Sequence, residues 1–318
     1  MTETIAVEGL VKTFGSLRAL DSLDLTVEEG TVHGFLGPNG SGKSTTIRCL
    51  LGLYHPDAGT VRVLGMNPSA SARDINRRVA YVPGEVALWP NLTGQQALDA
   101  LAALRGSRDE ARERELVERF RLDPSKPIRT YSKGNRQKVM LVAALAAPCD
   151  LVILDEPTSG LDPLQAEVFV DAVRDAASQG RTVLMSSHIM AEVDRLCDSV
   201  TIIKDGRTVE SGLLEELRHL RASRITCVLP PEQSPPSGHH RWSRWLHRER
   251  GAQRCPTKDP TQVSIPQPDA DGRLSVSVPT DRVPATLQQL LAAGAQEVTC
   301  TPASLDEVFL QHYEAAAR

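Results

Sequence analysis

The sequence lacks any apolar run long enough to cross a membrane. Its longest such run covers residues 139–147 and stops after nine residues at Pro148, whereas a membrane-spanning helix needs about 20. Residues 1–5 show no basic segment followed by an apolar one, so we expect no secretory signal. These absences predict a soluble intracellular chain.

Closely spaced cysteines and a strong charge bias are also missing. The six cysteines lie far apart without a C-x-x-C pair, which predicts reduced thiols rather than a disulfide or zinc framework. A formal net charge of −4 gives no general attraction to nucleic acid, so we expect no nucleic-acid partner. The apolar share of 41% and charged share of 24% are typical of globular proteins. At about 150 residues per domain, 318 residues predict two domains.

The pattern along the chain changes near residue 223. Residues 1–222 alternate strand-like and helix-like segments, which predicts an α/β domain. Residues 230–272 are rich in Pro, Ser, Gly, Arg and His and poor in aliphatic residues, so we expect a disordered insert. The second domain is predicted to cover residues 223–318. Beyond the insert we expect strand 274–278, helix 283–293, strand 297–301 and helix 305–313.

Residues 37–45 match the phosphate-binding pattern G-x-x-x-x-G-K-[ST] in full. The preceding residues 31–36 predict a buried strand and residues 43–53 a helix, so backbone N–H groups and the helix N-terminus should face phosphate oxygens. We expect Lys43 to contact the β- and γ-phosphates, with a catalytic role, and the Ser44 hydroxyl to ligate Mg²⁺. The predicted cradle comprises Gly37, Pro38, Asn39, Gly40, Ser41, Gly42, Lys43, Ser44 and Thr45.

Two acidic residues follow a second buried strand. Residues 151–154 are all aliphatic, as in a central parallel strand, and Asp155 and Glu156 then emerge at its carboxyl end, where such sheets bind ligands. Asp155 is predicted to hold Mg²⁺ opposite Ser44. Glu156 is predicted to orient and deprotonate the water that attacks the γ-phosphate.

Further motifs follow in a recognisable order and resemble those of ABC-type ATPases over roughly the first 220 residues. Residues 131–138, where Ser132 should cap a helix ended by Pro148, resemble the signature segment of that family. Residues 157–162 resemble its D-loop, and residues 186–188 its switch histidine. Phe14 stands where the family stacks an aromatic ring on adenine.

The resemblance implies an α/β P-loop NTPase fold of the ABC cassette type. Such a cassette has a mixed-sheet core, an antiparallel β subdomain and a helical subdomain, here about residues 92–148, followed in this chain by a small α+β accessory domain. In the family, two cassettes pack head to tail. Ser132 and Gly134 would then contact the γ-phosphate bound to the other chain, His188 would reach the same phosphate in a catalytic role, and Asp162 would help the two sites communicate.

Two positions depart from the family pattern. The signature segment keeps only Ser132 and Gly134 of the usual Leu-Ser-Gly-Gly-Gln, with Lys133 at the third position. Gly84 stands where the family has a glutamine that touches Mg²⁺ and the attacking water. Either Glu85 replaces that glutamine or turnover is weaker, and the sequence leaves both alternatives open.

The resemblance also implies partners and a location. Lys133 and residues 304–310 resemble drug-export cassettes of the ABC-2 type and the daunorubicin-resistance exporters. We therefore expect an ATP- and Mg²⁺-dependent subunit at the cytoplasmic face of the cell membrane, working with a separate ABC-2-type permease and a second cassette, as a homodimer. The alternatives are a soluble ABC-type ATPase of translation or DNA repair, which usually carries two cassettes or a long coiled coil, and the cassette of an importer.

Two charged segments carry weaker hypotheses. Residues 238–258 have a formal charge of +5 and include Trp242 and Trp245, which suits either contact with anionic lipid headgroups or a solvated loop. The charges at 109–115 predict a solvated helix face with local ion pairs.

Overall fold

The computed structural model describes residues 2–219, 222–228, 273–279 and 282–302. The chain divides into two compact units, Met1–Glu215 and Glu216–Arg318. The expected insert 230–272, with Trp242 and Trp245, and the expected helix 305–313 lie outside the described residues. The domain limits placed around residue 222 stay a prediction.

The described strands and helices alternate along the first unit. The strands are β1 (Glu3–Phe14), β2 (Leu17–Glu28), β3 (Val32–Leu36), β4 (Ala58–Val63), β5 (Val79–Val82), β6 (Leu151–Asp155), β7 (Thr182–Ser187), β8 (Ser199–Lys204) and β9 (Arg207–Leu213). The helices are α1 (Lys43–Leu50), α2 (Pro68–Arg78), α3 (Gly94–Arg105), α4 (Glu110–Arg119), α5 (Lys133–Leu145), α6 (Pro163–Ser178), α7 (Met190–Leu196) and α8 (Leu214–His219), the last of which begins in the first unit and ends in the second. Among the residues described, no helix has both the length and the apolar character that a bilayer span requires.

The central sheet has six strands in the order β5-β6-β7-β3-β8-β9. Its first five strands pair in parallel, and β9 pairs antiparallel with β8. Every residue of β3, β6 and β7 is buried, in accord with central parallel strands that are covered on both faces. Because these three strands are neighbours, their carboxyl ends meet at one edge of the sheet.

A second sheet packs on the first through an apolar core. Strands β2, β1 and β4 form an antiparallel sheet in that order. A buried cluster joins this sheet, through Ile47 and Leu50 of α1, to Phe35, Ile153 and Leu184 of the central sheet. This core therefore fixes the position of α1 relative to the end of β3. The mixed central sheet, the antiparallel sheet and the helices confirm the predicted fold class.

Two local expectations for the first unit are wrong. Helix α1 ends at Leu50 instead of residue 53, because Gly52 adopts a φ of +71°, where a Cβ would lie 2.6 Å from the Pro68 carbonyl oxygen. The predicted solvated face at 109–115 is also incorrect for Glu113, which is buried and accepts a hydrogen bond from Arg108 Nη2 at 2.6 Å. Gln95 Nε2 of α3 donates to the same carboxylate at 3.4 Å, and the packing around Glu113 leaves it buried.

The second unit contains a small sheet with a helix. Strands β11 (Arg273–Pro279), β10 (Ala222–Val228) and β12 (Gln296–Pro302) form an antiparallel sheet in that order. Helix α9 (Val283–Ala292) contributes Leu290 to the apolar cluster on one face of this sheet. The two strands and the helix expected between residues 274 and 301 are confirmed within about two residues at each end.

Candidate functional site

The glycine-rich loop 37–42 connects β3 to α1 and requires glycine at two positions. Gly42 adopts a φ of +109°, and a Cβ on it would lie 2.6 Å from Leu20 Cδ2. A Cβ on Gly37 would lie 2.4 Å from the Ile203 carbonyl oxygen. Gly42 caps α1 without a side-chain hydrogen bond. Since the first N–H groups of a helix have no partner within the helix, this terminus suits the oxygens of a phosphate.

Lys43 places a positive charge inside the loop. Its side chain is 5% exposed, and Nζ donates hydrogen bonds to the carbonyl oxygens of Gly37 at 2.7 Å and Pro38 at 3.0 Å. Burial lowers the pKa of Lys43, while the negative charges of Glu156 and Asp155 oppose that shift. The Nζ atom also lies 3.8 Å from Glu156 Oε1.

The two acids occupy different environments although they are adjacent. Asp155 ends β6 and is 5% exposed, and its Oδ1 accepts a hydrogen bond from Ser186 Oγ at 2.5 Å. Glu156 has a φ of +49°, a left-handed conformation that costs a non-glycine residue roughly 1–2 kcal/mol. Its N–H lies 3.2 Å from both the carbonyl oxygen and Oγ of Ser186. From this anchored turn the Glu156 side chain reaches Lys43.

His188 completes the group at the sheet edge. It directly follows β7, and its Nδ1 lies 3.3 Å from Glu156 Oε1, with side-chain exposures of 45% and 28% respectively. The Gly37 N–H donates to the Ser187 carbonyl oxygen at 3.3 Å, which joins the end of β3 to the end of β7. The structure therefore brings Lys43, Glu156 and His188 together beside the cradle.

The donor set at this edge fits a nucleotide with Mg²⁺. Mg²⁺ in such sites is commonly held by one or two carboxylates together with substrate phosphates and water. Asp155 has one oxygen engaged by Ser186 and a second that could serve a cation, and Ser44 lies in the first turn of α1. Within the described part of the chain, no cluster of three or more His, Cys, Asp or Glu side chains could hold a metal alone.

Phe14 lies at the end of β1 with its ring 41% exposed. The Tyr54 ring packs edge-on at a centroid distance of 5.2 Å, and Lys12 Nζ lies 5.5 Å from the Phe14 centroid. These contacts orient an exposed aromatic surface that suits base stacking. Tyr54 had no motif by which the sequence could identify it.

The signature segment packs against the 158–162 loop of its own chain. Ser132 Oγ accepts a hydrogen bond from the Asn135 N–H at 3.2 Å, which confirms it as the cap of α5. Lys133 Nζ donates to Ser159 Oγ at 2.7 Å, and a Cβ on Gly134 would lie 2.4 Å from the Gly160 carbonyl oxygen. Asp162 caps α6 by accepting from the Gln165 N–H at 2.9 Å.

The structure does not bring the signature residues to the cradle. Among the described residues, no hydrogen bond or ion pair joins Ser132 or Gly134 to the loop 37–45. Ser132 is exposed and Gly134 is partly exposed.

Gly84 lies beside Asp155, in the loop after β5. A Cβ on Gly84 would lie 3.3 Å from the Asp155 backbone oxygen and 3.8 Å from its Cγ. Any side chain at this position would therefore begin next to the acidic group, and glycine provides none. Glu85, the next residue, is exposed.

Three polar residues that the sequence reasoning missed support the site. Ser186 Oγ donates to the Asp155 carboxylate and accepts from the Glu156 N–H. Gln137 Nε2 donates to the Pro157 carbonyl oxygen at 2.9 Å. Glu192 accepts hydrogen bonds from Thr158 and Ser187. Ser186 stands within the 186–188 segment and Gln137 within the 131–138 segment, so their places in those motifs were signals, whereas Glu192 had none.

Comparisons with known proteins agree with this geometry. The family model described as "ABC transporter" matches residues 20–159, and a model of an AAA domain matches residues 125–194. A solved structure described as the ATP-binding subunit of an ABC transporter superposes with a TM-score of 0.64 at 32% identity, covering 68% of this chain and 92% of the other.

Two curated relatives are similar over much of their length. The daunorubicin resistance ATP-binding protein DrrA3 of Streptomyces coeruleorubidus is 37% identical over 96% of this chain and 94% of its own. The daunorubicin/doxorubicin resistance ATP-binding protein DrrA of Streptomyces peucetius is 39% identical over 70% of this chain and 69% of its own. The first similarity extends beyond the cassette region.

Proposed function

The chain belongs to the ABC transporter family as an ATP-binding subunit, and we propose that it hydrolyses ATP to power the export of a small molecule through a separate permease. It is an ATPase. The observation that carries the proposal is the meeting of Lys43, Glu156 and His188 beside the 37–45 cradle. Two relatives named for resistance to daunorubicin support an exported drug-like or antibiotic-like compound.

Each residue at the sheet edge has a chemical role in this proposal. The N–H groups of the loop and the ammonium of Lys43 hold the β- and γ-phosphates and neutralise charge that develops between them. Glu156 orients the attacking water and accepts its proton. His188, within 3.3 Å of Glu156, donates a hydrogen bond to the γ-phosphate. Phe14 stacks on the adenine.

Ser44 and Asp155 would hold Mg²⁺ in this scheme. When bound, the ion neutralises phosphate charge and helps align the β- and γ-phosphates. The Ser186 hydroxyl, at 2.5 Å from Asp155 Oδ1, orients that carboxylate so that its other oxygen remains available.

A complete site requires a second cassette in this proposal. Ser132 and Gly134 reach a γ-phosphate held by another copy of the chain, in a head-to-tail homodimer, and Asp162 lies between the two sites. The exposure of Ser132, which leaves it accessible to a second chain, supports this arrangement.

The remaining partner is a membrane protein. We propose an ABC-2-type permease, with this chain bound peripherally at the cytoplasmic face of the membrane. The similarity to drug-resistance ATP-binding proteins over 96% of the chain favours this role over a soluble ATPase of translation or DNA repair. It also favours export over import.

Reconstitution tests the proposal. The purified chain should release phosphate from MgATP, and vesicles that also contain its ABC-2-type permease should show faster release when a transported compound is added. The Lys43→Ala variant, which lacks the ammonium at the cradle, should be inactive in both assays. Activity that responds to ribosomes or DNA but never to a membrane partner would contradict the role in transport.

A further inference from the structure

The carboxylate of Glu192 lies between the two segments that carry Glu156 and His188. Its Oε1 accepts a hydrogen bond from Thr158 Oγ1 at 2.5 Å, and its Oε2 accepts one from Ser187 Oγ at 2.7 Å. Thr158 belongs to the segment after β6 and Ser187 ends β7. One side chain on α7 therefore joins the two segments.

These hydrogen bonds close a ring of contacts around the reacting groups. Thr158 follows Glu156 by two residues, and Ser187 directly precedes His188. The ring is completed by the contact of 3.3 Å between Glu156 Oε1 and His188 Nδ1. A movement of one segment relative to the other would change this last distance. Because Glu192 binds both segments, it restrains that movement.

A carboxylate is well suited to this position. It offers two acceptor oxygens to two hydroxyl donors, and hydrogen bonds to a charged acceptor are stronger than neutral ones. Ser187 Oγ also accepts from the Ile189 N–H at 2.9 Å, which restrains the backbone on both sides of His188. Glu192 is only partly buried, so the charge keeps some contact with water.

We propose that Glu192 is a positioning residue that sets the relative placement of Glu156 and His188 for ATP hydrolysis. It does not touch the nucleotide, and it acts through Thr158 and Ser187. The inference rests on the proposed function, because it assumes that Glu156 and His188 act on ATP. A displacement of about 1 Å in such a site can lower the rate by up to about a hundredfold.

Replacement of Glu192 tests this role. We expect Glu192→Ala to lower kcat by about tenfold or more, since the two segments lose their common acceptor. The KM and the Kd for ATP should stay within about twofold, because the cradle is untouched. Glu192→Gln, with one acceptor oxygen, should retain an intermediate kcat.

A matched control lies on the adjoining helix. Glu167 of α6 pairs with Arg195 of α7 at 2.6 Å. Glu167→Ala therefore also removes a carboxylate involved in a contact of α7. We expect this control to keep the parental kcat. Thermal unfolding of both variants would show that they are folded.

A second variant addresses the same contact from the other side. Thr158→Val keeps the shape of the side chain and removes the hydroxyl, and we expect a lower kcat. In the double variant with Glu192→Ala, the loss should be smaller than the product of the two single losses, because both changes break one contact. A full product would contradict the proposed coupling.

The Glu156→Gln variant separates the two possible failures. If it retains parental turnover, the proposed function of the site is wrong. If it loses turnover while Glu192→Ala matches Glu167→Ala, the proposed role of Glu192 is wrong. A Glu192→Ala variant that raises KM without changing kcat would likewise overturn the positioning role.

Discussion

At the scale of single residues, Glu156 combines a strained backbone with close contacts to a lysine and a histidine. Its φ of +49° and its contacts with Lys43 and His188 set it apart from the buried Asp155. Strained conformations persist where the surrounding structure holds them, and they are concentrated at functional sites. The strain is therefore consistent with a reacting group, which a substitution can test.

We expect Glu156→Gln to reduce ATP turnover by about a hundredfold or more, because an amide cannot accept the proton of the attacking water. ATP binding should persist, since the cradle and Lys43 are unchanged. Steady-state phosphate release and equilibrium nucleotide binding measure the two effects. Glu167→Gln serves as the control at an exposed ion pair, and a Glu156→Gln protein with parental turnover would exclude Glu156 as the base.

A second residue-scale feature is His33, which is buried in β3 directly before the cradle. Its Nδ1 lies 2.8 Å from Ser199 Oγ and its Nε2 lies 2.9 Å from Thr201 Oγ1. Burial lowers the pKa of His33 from 6.5 to about 4. In the folded chain this histidine is therefore neutral at physiological pH.

This shift predicts a stability that depends on pH. Between pH 6.5 and about 4 the unfolded chain binds a proton at His33 and the folded chain does not, so the free energy of unfolding falls as the pH falls. The loss attributable to this group is about 3 kcal/mol at pH 4. Urea unfolding at pH 7 and pH 4.5 should show a smaller pH dependence for His33→Gln. The exposed His55 supplies the control, because His55→Gln should retain the parental dependence.

At the scale of elements, the loop after β5 is the place where the site departs from its family. Gly84 lies beside Asp155 but contributes no side chain. If the exposed Glu85 has taken over from the absent glutamine, its role depends on how this loop moves relative to β6. The resulting prediction therefore concerns positions 84 and 85 together.

If Glu85 has replaced the glutamine, Glu85→Ala should lower ATPase activity severalfold, because the loop would then lose the carboxylate that took over that role. Adding Gly84→Gln should restore part of the activity, since its Cβ would begin 3.8 Å from Asp155 Cγ. Phosphate release with and without the permease measures both effects. Glu29→Ala, at an exposed turn, provides a control. Parental rates for Glu85→Ala in both conditions would rule out the takeover.

The contact between α5 and the 158–162 loop is another element-scale feature. Gly134 and Gly160 approach so closely that no Cβ fits on Gly134, and Lys133 binds Ser159. The signature segment and the loop after Glu156 therefore form one surface within a chain. A second chain that contacts one of these segments would also contact the other.

At the scale of the whole molecule, the proposed head-to-tail site makes a prediction about mixtures. Lys43→Ala and Ser132→Arg should each be inactive as pure dimers, because both sites then carry a lesion. In a mixed dimer both lesions fall in the same site, so the other site is intact. Mixing the two inactive proteins should therefore restore measurable phosphate release.

The control mixture combines Lys43→Ala with Glu156→Gln. Both lesions lie in the cradle half of the site, so each site of a mixed dimer stays damaged and activity should remain absent. The contrast between the two mixtures, after confirmed subunit exchange, is the measurement. Restored phosphate release in the control mixture would contradict the assignment of Lys43 and Glu156 to the same half of the site.

Much of the fold could be predicted because its signals are local. The fully aliphatic strand before Asp155 and the cap at Ser132 each depend on neighbours within a few residues. The glycine pattern of 37–42 is likewise a continuous motif. The fold class could be predicted for the same reason, and the sheets of the structure confirm it. The end of α1 and the environment of Glu113 were missed, because Gly52 approaches Pro68 and Glu113 accepts from Gln95, contacts between residues more than 15 positions apart in the sequence.

Sequence alone was sufficient to propose the cradle and the two acids, since each lies on one continuous stretch of chain. Only the tertiary structure decided which groups meet, because the sheet order β6-β7-β3 differs from the order of the strands along the chain. That order places His188 within 3.3 Å of Glu156 and Lys43 within 3.8 Å of it. The contact of Glu192 with Thr158 arises in the same way, between residues 34 positions apart in the sequence.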